Sequence, residues 1–233
     1  MRIMWRFQTD TRGISAVSVK KAKNVASANM EAYVGVMKNE RVYREVFIGN
    51  TIRLVAEGGF EMATTRAISG ERKEFNSVKL NEAHIYRVFG TKENLFAETF
   101  AVLDNELIYT IKEGLSCFDA EHDFRGQCEK LFMKLWRFLL QNEAKCRYYT
   151  RYYYSVYFKN EVHEAHIQKY GVLIERLTPS FVPGADVWSL LHHIISVMLD
   201  FAIRVYNGGL EDTEENASHI FNVAYSSIAP YLR

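Results

Sequence analysis

Apolar residues recur at helical spacing along this chain from Val42 onward, and strict apolar–polar alternation of the kind a strand needs is missing. Ile48, Ile52 and Val55 stand at i, i+4 and i+7, and Gly58-Gly59 supplies a stop, which predicts a first helix. Thr64 or Thr65 then caps a second helix through Ile68, with Asn76-Ser77 as its break. Asn81 caps a short third helix that holds Ala83, Ile85 and Tyr86 and ends at Gly90. A fourth helix opens at Thr91 and runs through Leu95, Phe96, Val102, Leu103 and Leu107 to Gly114.

The second half is helical throughout. One stripe is marked by Phe124, Cys128, Leu131, Leu135 and Phe138. An aromatic-rich segment, Tyr148 to Phe158, follows, and then Val162, Tyr170, Leu173 and Leu177 before Pro179. Asp186 caps a stripe of Val187, Leu190, Leu191, Ile194, Met198 and Phe201 that stops at Asn207-Gly208-Gly209. The last helix opens on Asp212-Thr213-Glu214-Glu215, a capping-box arrangement with acids at the positive helix end, and carries Ile220, Phe221, Ala224 and Ile228. The sum is an all-α chain of about nine helices. Residues 1–36 show no sustained period and read as a mobile extension, with a short helix near 22–33; Met37 would serve as an alternative start.

Composition narrows the picture. The 233 residues include only three prolines, as helices require, and three cysteines with no C-x-x-C pair. An odd, unpaired set of cysteines argues against a disulfide framework or zinc site and suits a reducing cytoplasm. The formal charge of +1 conceals an asymmetry: residues 1–100 carry 16 Lys/Arg against 11 Asp/Glu, and residues 101–233 carry 13 against 17. A basic front and an acidic back are what a DNA-binding head on a non-DNA body would show. The longest apolar run, Trp188 to Leu199, is about twelve residues and contains two histidines, short of the roughly twenty a membrane span needs.

The run Ile85-Tyr86-Arg87-Val88-Phe89-Gly90-Thr91-Lys92-Glu93-Asn94-Leu95-Phe96, preceded by Thr64-Thr65 and Ile68, resembles the DNA-binding head of the TetR family of transcription regulators. Ile85-Tyr86, Phe89, Lys92, Glu93, Leu95 and Phe96 match that pattern position by position, and the likeness covers about 55 residues. It implies a three-helix helix-turn-helix head over 39–100, after an extension over 1–38, and a helical effector-binding and dimerisation domain over 101–233. The expected DNA-facing residues are Thr64, Thr65, Asn81, Glu82, His84, Tyr86, Arg87 and Lys92. A helix-turn-helix offers small and polar side chains at the start of its second helix, where base edges lie; Asn81, Glu82 and His84 are of that type. By resemblance Tyr86 meets a phosphate, and Lys92 stands at a helix N-terminus that already favours an anion. The family likeness also implies a cytoplasmic homodimer on a pseudo-palindromic double-stranded DNA operator, released by a small-molecule effector, and so a repressor. One departure stands out: the interval from Ile68 to Tyr86, through Glu71 to Lys79, is about six residues longer than the pattern.

Other constellations carry less. His163-Glu164-Ala165-His166 places histidines at i and i+3, whereas the zinc-protease motif needs i and i+4, and no third ligand is evident, so no metal and no cofactor is expected. No phosphate loop, nucleophile elbow or Cys/His pair gives positive support to an enzyme. Six tyrosines fall within ten residues from Tyr148 to Tyr157. Either they form core and dimer contacts, or Tyr149, Tyr152 and Tyr153, joined by Trp136, line a cavity for an aromatic, apolar or cationic ligand. Two other function classes compete with a regulator: a helical ligand-binding or scaffold protein whose head the insertion has disabled, and a helical enzyme using the Tyr/His-rich segment.

Overall fold

The computed structural model describes residues 40–70, 80–116, 118 and 122–233. The extension and the inserted segment Glu71 to Lys79 lie outside these residues, as do the expectations that fall on them. The described residues form nine α-helices and one isolated antiparallel bridge, Phe181 to Leu232. Helix α1 covers 40–58, followed by α2 (Thr65–Gly70), α3 (Glu82–Phe89), α4 (Lys92–Leu115) and α5 (Phe124–Gln141). Then come α6 (Glu143–Tyr153), α7 (Asn160–Leu177), α8 (Val187–Tyr206) and α9 (Glu214–Ile228). The chain divides into a unit ending at Glu45 and a compact unit Val46–Arg233. In the first, the described residues carry the helical ion pairs Arg41–Glu45 and Arg44–Glu40. All that follows concerns the second.

Local signals place most helix ends. The Thr64 hydroxyl accepts from the Ala67 N–H and so caps α2 in preference to Thr65. Thr91 caps α4 through the Asn94 N–H, and Asp186 caps α8 through the Ser189 N–H. At α9 the cap is Thr213, bonded to the Asn216 N–H; Asn216 in turn donates to the Glu211 carbonyl, so the flanking glutamates close no box. Helix α1 ends at Gly59, whose φ of 84° is open to glycine and strained for other residues.

The buried side of α1 is Phe47, Asn50, Thr51, Leu54 and Val55, while Ile48 and Ile52 are only half-buried. Spacing alone names a stripe but not which of two adjacent stripes meets the core. Asn50 donates to the Ile68 carbonyl at 2.7 Å and fastens α2 to α1. Ile68, Ile85, Leu95 and Phe96 are fully buried, and Phe47 meets the Phe89 ring edge-on. These contacts make the core of a three-helix head.

Helix α4 continues from that core into the next without a break. The expected domain boundary at residue 100 falls inside its 24 residues. Around α4 pack α5, α6 and α7, and α8 crosses α5, α6, α7 and α9. Twenty residues long, α8 is apolar enough to span a membrane by length and composition alone, yet it packs on those four helices.

At the centre of this bundle Asp104 of α4 is fully buried. His166 Nδ1 lies 2.9 Å from its carboxylate, Lys169 Nζ 3.2 Å, and the Tyr149 hydroxyl 3.5 Å. One carboxylate thus joins α4, α6 and α7. A buried charge is tolerated only when paired in this way. The same contact accounts for His166, which is turned onto Asp104, while His163 packs against Phe158; no metal-holding group occurs among the described residues.

Removing the carboxylate leaves His166 and the Lys169 ammonium without their partner. Asp104→Ala should therefore lower the urea-unfolding free energy by about 3–5 kcal/mol. Glu106→Ala, which breaks the more exposed Glu106–Lys145 pair, should cost no more than about 1 kcal/mol. Equal, small losses in both variants would show that the Asp104 cluster does not hold the bundle.

Candidate nucleic-acid interface

Six of the eight residues expected to face DNA lie at the start of α2, along α3 and at the start of α4; the other two, Thr64 and Asn81, are the caps of α2 and α3. The first turn of α3 is held by a reciprocal pair of bonds. The Asn81 side chain accepts from the His84 N–H at 3.1 Å, and His84 Nδ1 accepts from the Asn81 N–H at 3.3 Å. This is a capping box with histidine in the place usually taken by Glu or Gln. Burial first, and then the nearby Arg87 guanidinium, hold the His84 pKa below its ordinary value, which keeps the imidazole neutral and able to accept. A second tie crosses from α2: Thr65 donates to the Glu82 carboxylate at 2.5 Å.

Ala83 within that turn and Tyr86 and Arg87 beyond it are exposed, and Tyr86 keeps 52% of its surface in solvent although three of its neighbours on α3 are core residues. Gly90, with φ at 76°, turns the chain from α3 into α4. Lys92 follows in the first turn of α4, its ammonium 5.5 Å from the centre of the Phe96 ring, a cation–π distance that keeps it beside the head core. The arrangement can present donors, acceptors and two cations from one short helix and its neighbour, which suits a polyanion with readable edges. Sequence reasoning passed over one more cation, Arg66, exposed in the first turn of α2 directly after Thr65. Its position in that turn was the available signal.

The residues expected to line a ligand site are not brought together. Tyr152 is buried and donates to the Tyr157 carbonyl. Tyr149 stacks on Phe100 at 4.9 Å. Tyr153 stacks on His192 at 5.3 Å, and only it and Tyr149 touch one common cavity, of about 20 Å³. Trp136 lies against Phe132 on α5, buried, with no hydrogen bond to its Nε1 and no place in that cavity. The physical reason is that the inner face of α6 is consumed by packing against α4.

Much of that packing forms a joint between head and body that sequence reasoning did not foresee. Phe60, in the turn after α1, lies 5.0 Å from Phe96, 4.8 Å from Tyr157 and within 6.3 Å of Tyr148 and Tyr152. The buried Tyr148 hydroxyl donates to the Phe96 carbonyl at 2.8 Å, and Arg151 donates to the Val55 carbonyl at the end of α1. The tyrosine-rich segment therefore packs against both the end of α1 and the start of α4.

Comparison with known proteins agrees with this geometry. No family model matches the sequence, and no curated protein matches it. Among solved structures, a TetR-family transcription regulator from Marinobacter aquaeolei VT8 superposes with a TM-score of 0.66 at 20% identity, over 82% of this chain and 97% of that one. A TetR-family regulator from Shewanella sp. PV-4 gives 0.64 at 15% identity, over 79% and 97%. NalD of Pseudomonas aeruginosa, described as the secondary repressor of the MexAB-OprM multidrug efflux pump, gives 0.55 at 17% identity, over 84% and 98%. The all-α architecture, a small helix-turn-helix head continued by α4 into a larger helical body, is the fold of the TetR-family transcription regulators.

Proposed function

We propose that this protein is a non-enzymatic, DNA-binding transcription regulator that acts as a homodimer and is released from its operator by a small molecule. The observation that carries the reading is α3 itself: a short helix pinned at its N-terminus by the Asn81–His84 box, with Tyr86 and Arg87 exposed beyond it and Lys92 across the turn. Two such helices, one from each protomer, would enter successive major grooves of a pseudo-palindromic operator. Lys92, Tyr86 and Thr64 are assigned to phosphates. Asn81, Glu82, His84 and Arg87 form the recognition surface with Thr65, which orients Glu82. Such a protein works in the cytoplasm.

A dimer is favoured by the outer side of α8. Leu191, Ile194 and Met198 of α8 line an apolar cavity together with Phe221 and Ala224 of α9; Met198 is buried, whereas Leu191 and Ile194 stay partly exposed. Apolar side chains left partly or largely exposed on these two helices include Leu190, Leu191, Ile194, Val197 and Phe201 of α8 and Val223 of α9. Effector binding in the body would tilt α4, which holds Lys92 at one end and body contacts at the other, and so change the spacing of the two heads.

Phosphate partners add affinity without sequence information, and base partners add discrimination. Lys92→Ala should weaken operator and scrambled DNA alike and flatten the salt dependence by about one ion per subunit. Arg87→Ala should cost about 1–3 kcal/mol per half-site, mainly on the correct operator. Salt titrations of both DNAs by fluorescence anisotropy read these effects; unchanged operator binding in both variants contradicts the proposed interface.

The head should also loosen in acid. Because the folded pKa of His84 lies below its ordinary value of 6.5, its contribution to stability is complete above that value and is lost as pH falls below it. A protonated Nδ1 no longer accepts from Asn81. His84→Gln keeps a box-forming side chain without titrating, so between pH 7.5 and 5.5 the wild type should lose more thermal stability than this variant. Parallel losses would remove His84 as the cause.

Dimerisation supplies a third test. Val197→Asp or Phe201→Asp should yield a folded monomer by light scattering, because an unpaired buried carboxylate costs several kcal/mol at an interface. A wild type that is monomeric at micromolar concentration would contradict the proposed assembly.

A further inference from the structure

Between α4, α5, α8 and α9 lies a cavity of about 90 Å³, lined by Ile111, Cys128, Phe132, Leu191, Met198 and Ala224 among other apolar side chains. Among the described residues no charged side chain lines it, and the polar side-chain atoms are the Cys128 thiol and the Tyr225 hydroxyl. Burial pushes the Cys128 pKa up to about 12, so the thiol is neutral and adds no charge. Protein interiors seldom leave voids larger than a water molecule. Water needs two to four polar partners to stay in such a space, and a dry apolar cavity of about 150 Å³ takes up benzene. This cavity is somewhat smaller, but Met198 is a flexible wall that can rearrange around an occupant.

The cavity also sits where an occupant would be felt. Ile111 and Leu115 belong to the buried side of the C-terminal part of α4, the helix whose first turn carries Lys92. Gly114, next to them, lets α4 approach α5 so closely that a Cβ there would meet the side chain of Leu131, another lining residue. Filling or emptying the cavity therefore acts on the contact between α4 and α5.

From this we infer that the cavity between α4, α5, α8 and α9 binds a small, uncharged, predominantly apolar molecule of about the size of a monocyclic aromatic hydrocarbon. It is the effector class for the regulator proposed above, and it rests on that reading only for its consequence at DNA. The chemistry excludes carboxylates and amines, since burying either charge without a partner is costly. It also separates this site from the aromatic, histidine-containing cavity at Tyr149 and Tyr153.

The test uses the full chain and three probes of one shape: toluene, benzoate and benzylamine. Toluene should raise the melting temperature in a concentration-dependent manner, as any ligand selective for the folded state does; benzoate and benzylamine should not. In a methyl-¹³C methionine spectrum, toluene should shift the Met198 resonance and leave that of exposed Met62 in place. Ala224→Phe, which fills the cavity, should abolish the toluene response while keeping a cooperative melt. If that variant does not fold, the Met198 shift in the wild type decides. Absence of a Met198 shift, an equal effect of benzoate, or a full toluene response in folded Ala224→Phe would overturn the inference. DNA binding without toluene is measured separately, so failure of the cavity and failure of the regulator reading are distinguishable.

Discussion

Everything in this molecule depends on one helix belonging to two cores. Helix α4 is about 36 Å long at 1.5 Å per residue. Its first turns supply Leu95 and Phe96 to the head, and its later ones supply Phe100, Asp104, Leu107 and Ile111 to the body. Such a helix cannot move in one core without moving in the other. Two features make the constraint strict. The Asp104 carboxylate pins its middle to α6 and α7, and the Phe60 aromatic group pins the end of α1 to both α4 and α6. Since packed cores switch between discrete arrangements in preference to deforming smoothly, a body that repacks around an occupant has a direct route to α3 through α4.

Features set by neighbours three or four residues apart could be read in the sequence. Asn81, Thr91 and Asp186 cap helices because each oxygen meets a backbone N–H three residues on, and that needs no tertiary partner. The head pattern from Ile85 to Phe96 was legible for a similar reason, since its spacing alone separates buried Ile85, Phe89 and Leu95 from exposed Tyr86 and Arg87.

Features that depend on distant partners could not be read. Nothing local announces that Asp104 will meet His166, 62 positions away, or that Arg151 will reach Val55, 96 positions back. The tyrosine segment illustrates the cost of that blindness. Composition correctly marks it as special, but its role depends on Phe60 and Phe96, which spacing cannot bring to it. A helix face that is apolar nearly all round, as on α8, likewise leaves the inner and outer stripes indistinguishable until α5 and α9 are placed.

The central claim is that α3 of a symmetric dimer reads duplex DNA, and selection from a randomised duplex library by the full chain tests it most directly. Sequencing of the retained DNA should show an inverted repeat whose half-sites lie about one helical turn, or a multiple of it, apart. Retention without any enriched sequence, under salt conditions where non-specific binding persists, would contradict the account.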